Sequence, residues 1–485
     1  MMTNMKKIVT MARLKNRYYN LNNVAESKDP DICKLCNDKD VVTAAIINND
    51  KDPDNTLWNF SYASKSLRND ADMVMTVVVC NGWALQYASE SLRNNKNIVL
   101  AAVSNVGRAI KFASEQLRKD KDVNLVAAAN GYLASAFCND KNIVIAAVAK
   151  NGTNLSNASK ELQNDKEVVM TAVTNNGSTL EFASENLRND KEVVMTAITH
   201  QKEDYTNPLA YASKELQADR EIVITAIINN IPSLITDCAF KYAAEKFRNN
   251  KEIVMTAVAN DAHALKYTSE ELRNDKEIVM TAVKKDGRAF IYASETLRND
   301  KNFVMKAVAI NGRALEGASK DLQNDKTIVM TAVAHKNHSL TDASERLCAD
   351  KDVVMTAVSH NGISLQFASE ELRNNKEVVM TAVKNSGWAL PYASKKLRDN
   401  KEIVLTAIPH GNNSTLRYAS ERLRADKDVV MTAIAKSGLA LEYASEELRN
   451  DKEVVMTAVK NNDAALKFAS EGLQNNPDIM KLIAS

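Results

Sequence analysis

Apolar residues along this chain fall in a pattern that returns. In the stretch LRNDKEVVMTAV at 448–459, and in near copies at 187–198, 272–283 and 372–383, a pair of β-branched residues is followed, after a gap of two, by Ala and then Val or Ile. When the Lys of each copy is counted as position 1, the apolar residues stand at 3, 4, 7 and 8, which is a single stripe on a helix of 3.6 residues per turn. The spacing predicts a helix A. The Asp or Asn just before the Lys can cap its N-terminus, the acid at position 2 suits the positive end of its dipole, and the Gly at position 12 is read as its stop. Pro477 takes position 1 in the last copy, the first helical turn, where a missing N–H does no harm.

A second stripe follows the Gly. Ala at 14, Leu at 15, Ala at 18 and Leu at 22 share one side, with 16, 20 and 23 facing away, and predict a helix B. Pro208 and Pro391 fit only a first turn, which places the start of B at about position 13. Its last part, Ser-Glu-Glu-Leu, reads equally as α-helix or as a 3-10 turn.

The landmark Lys recurs at 39, 96, 121, 141, 166, 191, 251, 276, 301, 326, 351, 376, 401, 427 and 452, with Ala71, Arg220 and Pro477 standing in, which makes 18 units. Most steps are 25 residues, as from Lys276 to Lys301. Two helices of about ten residues cannot cover their apolar faces alone, so each unit must stack on the next. The fold class expected is all-α, an elongated α-solenoid over 37–485 behind a basic lead-in helix at 1–36. The step from Lys121 to Lys141 is only 20 residues, and AAANGYLASAFCND shortens both helices, so a kink near 121–141 is expected. Met at position 5 in eleven units, Met170, Met195 and Met255 among them, reads as a gap-filling column between units.

In its combination of Asp-Lys-Glu-Val-Val, Asn-Gly and Tyr-Ala-Ser-Glu-Glu-Leu, the repeat resembles a tandem helical family known as domain of unknown function 4116. The resemblance covers about 37–485, and it implies the repeat architecture without implying an activity.

Composition narrows function mainly by exclusion. With 63 Lys and Arg against 61 Asp and Glu, the net charge is +2, which argues against a general nucleic-acid or membrane-surface binder. No apolar run reaches the roughly 18 residues of a membrane span, and the basic opening lacks a signal-peptide core. A soluble, cytoplasmic monomer is expected. The host cytoplasm would be the setting if the chain were a translocated factor. Cys33 and Cys36 form a C-x-x-C without a second pair, so free thiols and no cofactor or metal are expected. The acids, Lys and Ser of the repeat are all periodic, as capping groups and ion-pair ladders between units require, and one catalytic pair would not be. The expectation is not an enzyme.

The candidate binding residues gather where A turns into B. His200, His335, His360 and His410 take position 10; His263 and His338 take position 13. A His near a helix C-terminus is favoured by the dipole, which accounts for the first four. Position 13 is more informative, because it holds Trp58, Trp83 and Trp388 as well as the column His263, Arg288, Arg313 and His338, followed by Ile363. A half-exposed packing position accounts for this column, and so does a recognition column. Extra residues in NNDKDPDNTL, HQKEDYTNPL and NNIPSLITDC fall at the same turn, the edge on which repeat arrays collect insertions. The function expected is a scaffold that binds a protein partner through this edge and the exposed ridge of B. The alternatives are a phosphate or nucleic-acid binder using the His and Arg column with Lys284, Lys285 and Lys336, and an adaptor that recruits an enzyme in another chain.

Overall fold

A computed structural model of the protein describes residues 37–47, 60–202, 207–229, 238–335 and 340–484. The lead-in segment 1–36, Cys33, Cys36, Trp58, Lys336 and His338 lie outside the described residues, as do parts of the three long turns. The chain divides into two compact units, Met1–Phe247 and Arg248–Ser485. Helix A is present in each unit as expected, eight times in the first and ten times in the second, from Lys39–Ile47 to Pro477–Ala484. Among the described residues the fold is all-α, a solenoid of stacked repeats.

Helix A follows from its sequence closely. In Lys166–Asn175 the side chain of Asp165 accepts from the N–H groups of Glu167 and Val168 at 3.0 and 3.2 Å, which satisfies two of the donors a helix start leaves open. Val168, Val169, Ala172 and Val173 are fully buried. Each such side chain removed from water contributes about 1.5–3 kcal/mol, so the four-residue stripe is what commits the helix to the stack.

Helix B differs from the expectation. It is two pieces: a 3-10 helix that starts at the Gly of position 12, as in Gly177–Phe182, and a four-residue α-helix, as in Glu185–Arg188. The break lies at Ala183 and Ser184, both in extended backbone. The reason is a hydrogen bond to the preceding repeat: the Ser184 N–H donates to the carbonyl of Gln163 at 2.9 Å, its Oγ to the Asn164 side chain at 2.5 Å, and the same Oγ accepts from Leu187 N–H at 3.4 Å. One Ser thus joins two repeats and caps the next helix. The arrangement recurs at Ser114, Ser294 and Ser394. Pro391 accordingly lies inside the 3-10 helix Gly387–Tyr392, beyond its first turn.

The Gly at position 12 also has a different task. The residue before it is extended, for example Asn176 at φ −156°, and its side chain caps the 3-10 helix. Gly177 is needed for room: a Cβ there would lie 1.8 Å from the carbonyl oxygen of Ala197 in the following repeat. Gly82, Gly362 and Gly438 meet the equivalent carbonyl at 2.2 to 2.3 Å. Asn at position 10 of the following repeat draws the two turns together. Asn105 accepts from Gly82 N–H at 2.8 Å and donates to the Val79 carbonyl at 3.0 Å; Asn175, Asn385 and Asn461 repeat the bridge.

At 121–141 helix A keeps nine residues, Lys121–Ala129, and packs against the helices on both sides. Its second half shrinks to the single 3-10 turn Ser135–Phe137, reached through Gly131 at φ +83°, the left-handed region where Gly avoids the Cβ clash. Met at position 5 is half-buried, and Met305 accepts a hydrogen bond at Sδ from Thr331 of the next repeat at 3.6 Å, consistent with its place between units.

Candidate functional site

The periodic charges are used between repeats. Lys141 Nζ reaches Asp165 at 2.7 Å and Glu167 at 2.8 Å in the next repeat; Lys166, Lys251 and Lys427 do the same one step on. The Lys ammonium holds the carboxyls of Asp165, Asp325, Asp350 and Asp451 below the ordinary carboxylate range, against the pull of partial burial and with help from backbone N–H groups. Each of these Asp therefore caps a helix and ties two repeats.

The turn edge carries the other candidates. At position 10, His200 and His360 turn a ring N–H at Nδ1 onto the carbonyls of Thr196 and Thr356, both at 2.9 Å. Each ring thus adds a second donor to a carbonyl in the last turn of its own helix, beside the backbone N–H that His200 already gives to Thr196. No group of three or more His, Cys, Asp or Glu among the described residues is placed to hold a metal ion.

Position 13 separates into two kinds of residue. Where position 11 is Asp, the side chain at 13 pairs with it: Arg288 Nη2 lies 2.8 Å from Asp286, and His263 Nδ1 lies 3.5 Å from Asp261. Partial burial pushes the Asp286 carboxyl up, and Arg288 more than offsets it. His263 also meets the ring of Tyr292 in the next repeat edge to face, at 6.1 Å. The capping Asp thus gives the scaffold its own reason to place an Arg at position 13. Trp83 is likewise engaged, edge-on to Phe112 at 6.0 Å with Lys111 over its ring at 4.7 Å.

Arg313, Ile363 and Trp388 are the second kind. Arg313 follows Asn311 instead of Asp, is exposed, and makes no side-chain hydrogen bond or ion pair among the described residues. Trp388 is 47% exposed. Within Arg248–Ser485 His263, Arg288 and Arg313 stand on three successive turns and Ile363 and Trp388 on two more, with the turn between Arg313 and Ile363 partly outside the described residues, while Trp83 stands in the other unit.

Sequence reasoning named Lys285 only for the phosphate alternative and missed Ile310, which takes the same place one repeat on. They take position 10, where Asn105, Asn175, Asn385 and Asn461 make the bridge, and both are exposed. Ala262 and Gly287 precede them at position 12, and Ala262 is accommodated there, buried to 2%. The signal was present as the loss of Asn from a position that elsewhere bridges repeats.

A depression of about 690 Å3 opens further along, between Glu316, Lys320, Asp342 and Arg346. It lies where Gly317 and Asp342 stand in place of the Tyr or Phe usual at position 17. Burial, followed by the neighbouring Glu316, pushes the Asp342 carboxyl up. Lys320 is held by Gln323 at 2.9 Å and Arg346 by Asn324 at 2.9 and 2.7 Å, so its cations are already engaged within the scaffold.

The model of a family described as Domain of unknown function (DUF4116) matches residues 70–118, 95–135, 165–206, 234–273, 250–298, 275–323, 300–348, 325–373, 350–398, 375–424, 400–449 and 451–485. The matches together span more than half of the chain, and those between 250 and 398 start one 25-residue period apart. No curated protein matches the chain.

Proposed function

The chain belongs to this family of unknown function, DUF4116, and from that premise, which brings no activity with it, we propose that the protein is a non-catalytic repeat scaffold that binds a protein partner through its turn edge and the exposed ridge beside it. The carrying observation is where large apolar side chains meet solvent. Of the nine that do so among the described residues, five stand at positions 9, 10 or 13: Val79, Ile228, Ile310, Ile363 and Trp388. Ile291, on the ridge, is a sixth. Val79 and Ile228 stand at the turn edge of one compact unit and Ile310, Ile363 and Trp388 at that of the other; apolar groups collected at the turn edge within a unit are what a binding surface needs, whereas scattered ones need no explanation.

The engagement of the periodic Lys and Asp in caps and rungs supports the absence of catalysis, because a group already bonded on both sides is poorly placed to exchange protons with a substrate. The binding of Arg288 by Asp286 weakens the case for a phosphate column. No helix among the described residues is long and apolar enough to cross a membrane. The reading is of a monomer in a reducing compartment, and recruitment of an enzyme by such a scaffold would be one form of it.

Site-specific photo-crosslinking tests the edge. A crosslinker at position 363 is expected to capture a protein that a crosslinker at position 371, on the opposite edge, does not. Equal capture from both positions, or from neither, would overturn the assignment.

A further inference from the structure

We propose that the turn edge of residues 251–485 receives an acidic peptide segment carrying aliphatic or aromatic side chains. This rests on the scaffold reading and names the chemistry of its partner. Among the described residues at positions 9–13 of these repeats there are seven Lys or Arg against three Asp. Two of those Asp already face Arg288 and His263. Lys284, Lys285, Arg313 and Lys460 are exposed and make no side-chain hydrogen bond or ion pair among the described residues. The chain as a whole is almost neutral, at +2. Its signs are therefore segregated: positions 20 and 21 of the same repeats hold eleven acids against five bases. Such a separation steers a charged partner to one edge and away from the other.

Two details show that this edge is relieved of scaffold duty. Lys285 and Ile310 occupy the position at which Asn105, Asn175, Asn385 and Asn461 bridge repeats, and neither makes that bridge. Arg313 follows an Asn where Arg288 follows a pairing Asp. Released cations alone would suit any anion. The exposed Ile310 and Ile363 decide between a peptide and a nucleic acid, because single strands gain by stacking bases on aromatic rings, and aliphatic side chains give them nothing comparable. Trp388, half-exposed four residues after Lys384 in the same turn, offers a peptide both an aromatic contact and a charge nearby in sequence.

The test is selection from a phage-displayed library of short random peptides against the full chain. Enriched sequences are expected to be rich in Asp and Glu with interspersed Leu, Ile, Phe or Trp. Their affinity, read by fluorescence anisotropy, should fall about tenfold or more in the double variant Arg313→Glu, Trp388→Ala, and should hold in the variant Glu370→Lys, Glu371→Lys. Melting curves check that both variants fold. Enrichment of basic or uncharged peptides, or acidic peptides insensitive to the first variant, would sink the inference and leave the scaffold reading standing. A library that yields no binder, while a single-stranded oligonucleotide binds with a steep salt dependence, would sink both.

Discussion

At the scale of single residues, identity is set by what the neighbouring repeat puts opposite. Gly177 faces the Ala197 carbonyl so closely that a methyl group has nowhere to go. Gly177→Ala is expected to cost about 2–3 kcal/mol by overpacking against backbone. Gly472, in the short helix Glu471–Gln474 with nothing within 4 Å of a built Cβ, is the control. Gly472→Ala should be neutral or stabilise by up to about 1 kcal/mol, since Ala is the better helix former. Denaturant titration of the pair measures the difference; equal effects would mean that the turn widens to accept the methyl. Position 13 makes a second contrast. Arg288→Ala removes an exposed pair with Asp286 and should lower stability by about 0.2–1 kcal/mol. Arg313→Ala removes no bonded partner and should leave the melting temperature unchanged. A larger loss at Arg313 would return it to the scaffold.

At the scale of the element, helix A is held at its N-terminus by a carboxylate that is itself held by a Lys. The Asp residues have depressed pKa values, so their contribution is fully present above the ordinary carboxylate range and is lost as pH falls through the lower folded values. The Lys of the same rungs, such as Lys141 and Lys427, are raised by those carboxylates. Their contribution is present below the usual Lys value and is lost as pH rises through the raised one. Thermal stability is therefore expected to be level between about pH 5 and pH 10 and to fall outside that window. Concentrated salt should weaken the Lys share while leaving the short-range caps in place. Melting temperatures across pH settle this, and a melting temperature that stays level well below pH 4 would show the rungs to be inert.

At the scale of the whole molecule, stability is shared between neighbours. Within each compact unit most described repeats are joined to the next by a buried stripe, a Ser rung and a Lys rung, and several also by an Asn bridge. Gly177→Ala should therefore loosen the repeats beside it first, as expected for a linear array. Hydrogen exchange followed by mass spectrometry should show faster exchange in helices Lys166–Asn175 and Lys191–Thr199 and none in Lys427–Lys436. Uniform acceleration across the chain would mean that unfolding is a single cooperative event.

How much could be read from sequence follows the range of the interactions. The stripe at 3, 4, 7 and 8, the Asp cap and the Lys ladder were legible because local spacing and charge periodicity encode them. That made helix A, the repeat count and the stacked architecture accessible without coordinates. The division of helix B was not. Ala183 and Ser184 leave the helical region because Ser184 has a better partner in the repeat before it, twenty residues back in the chain, than in its own turn. The role of Gly177 was hidden for the same reason, since its spacing constraint is a carbonyl of another repeat. So was the difference between Arg288 and Arg313, which depends on whether the capping residue of the turn carries a charge and whether the folded turn brings it within reach. Sequence by itself determined the unit and its repetition, because these rest on contacts a few residues apart. Only tertiary structure decided which side chains of the turn are bound into the scaffold and which stand free, because that choice is made by atoms that folding alone brings together.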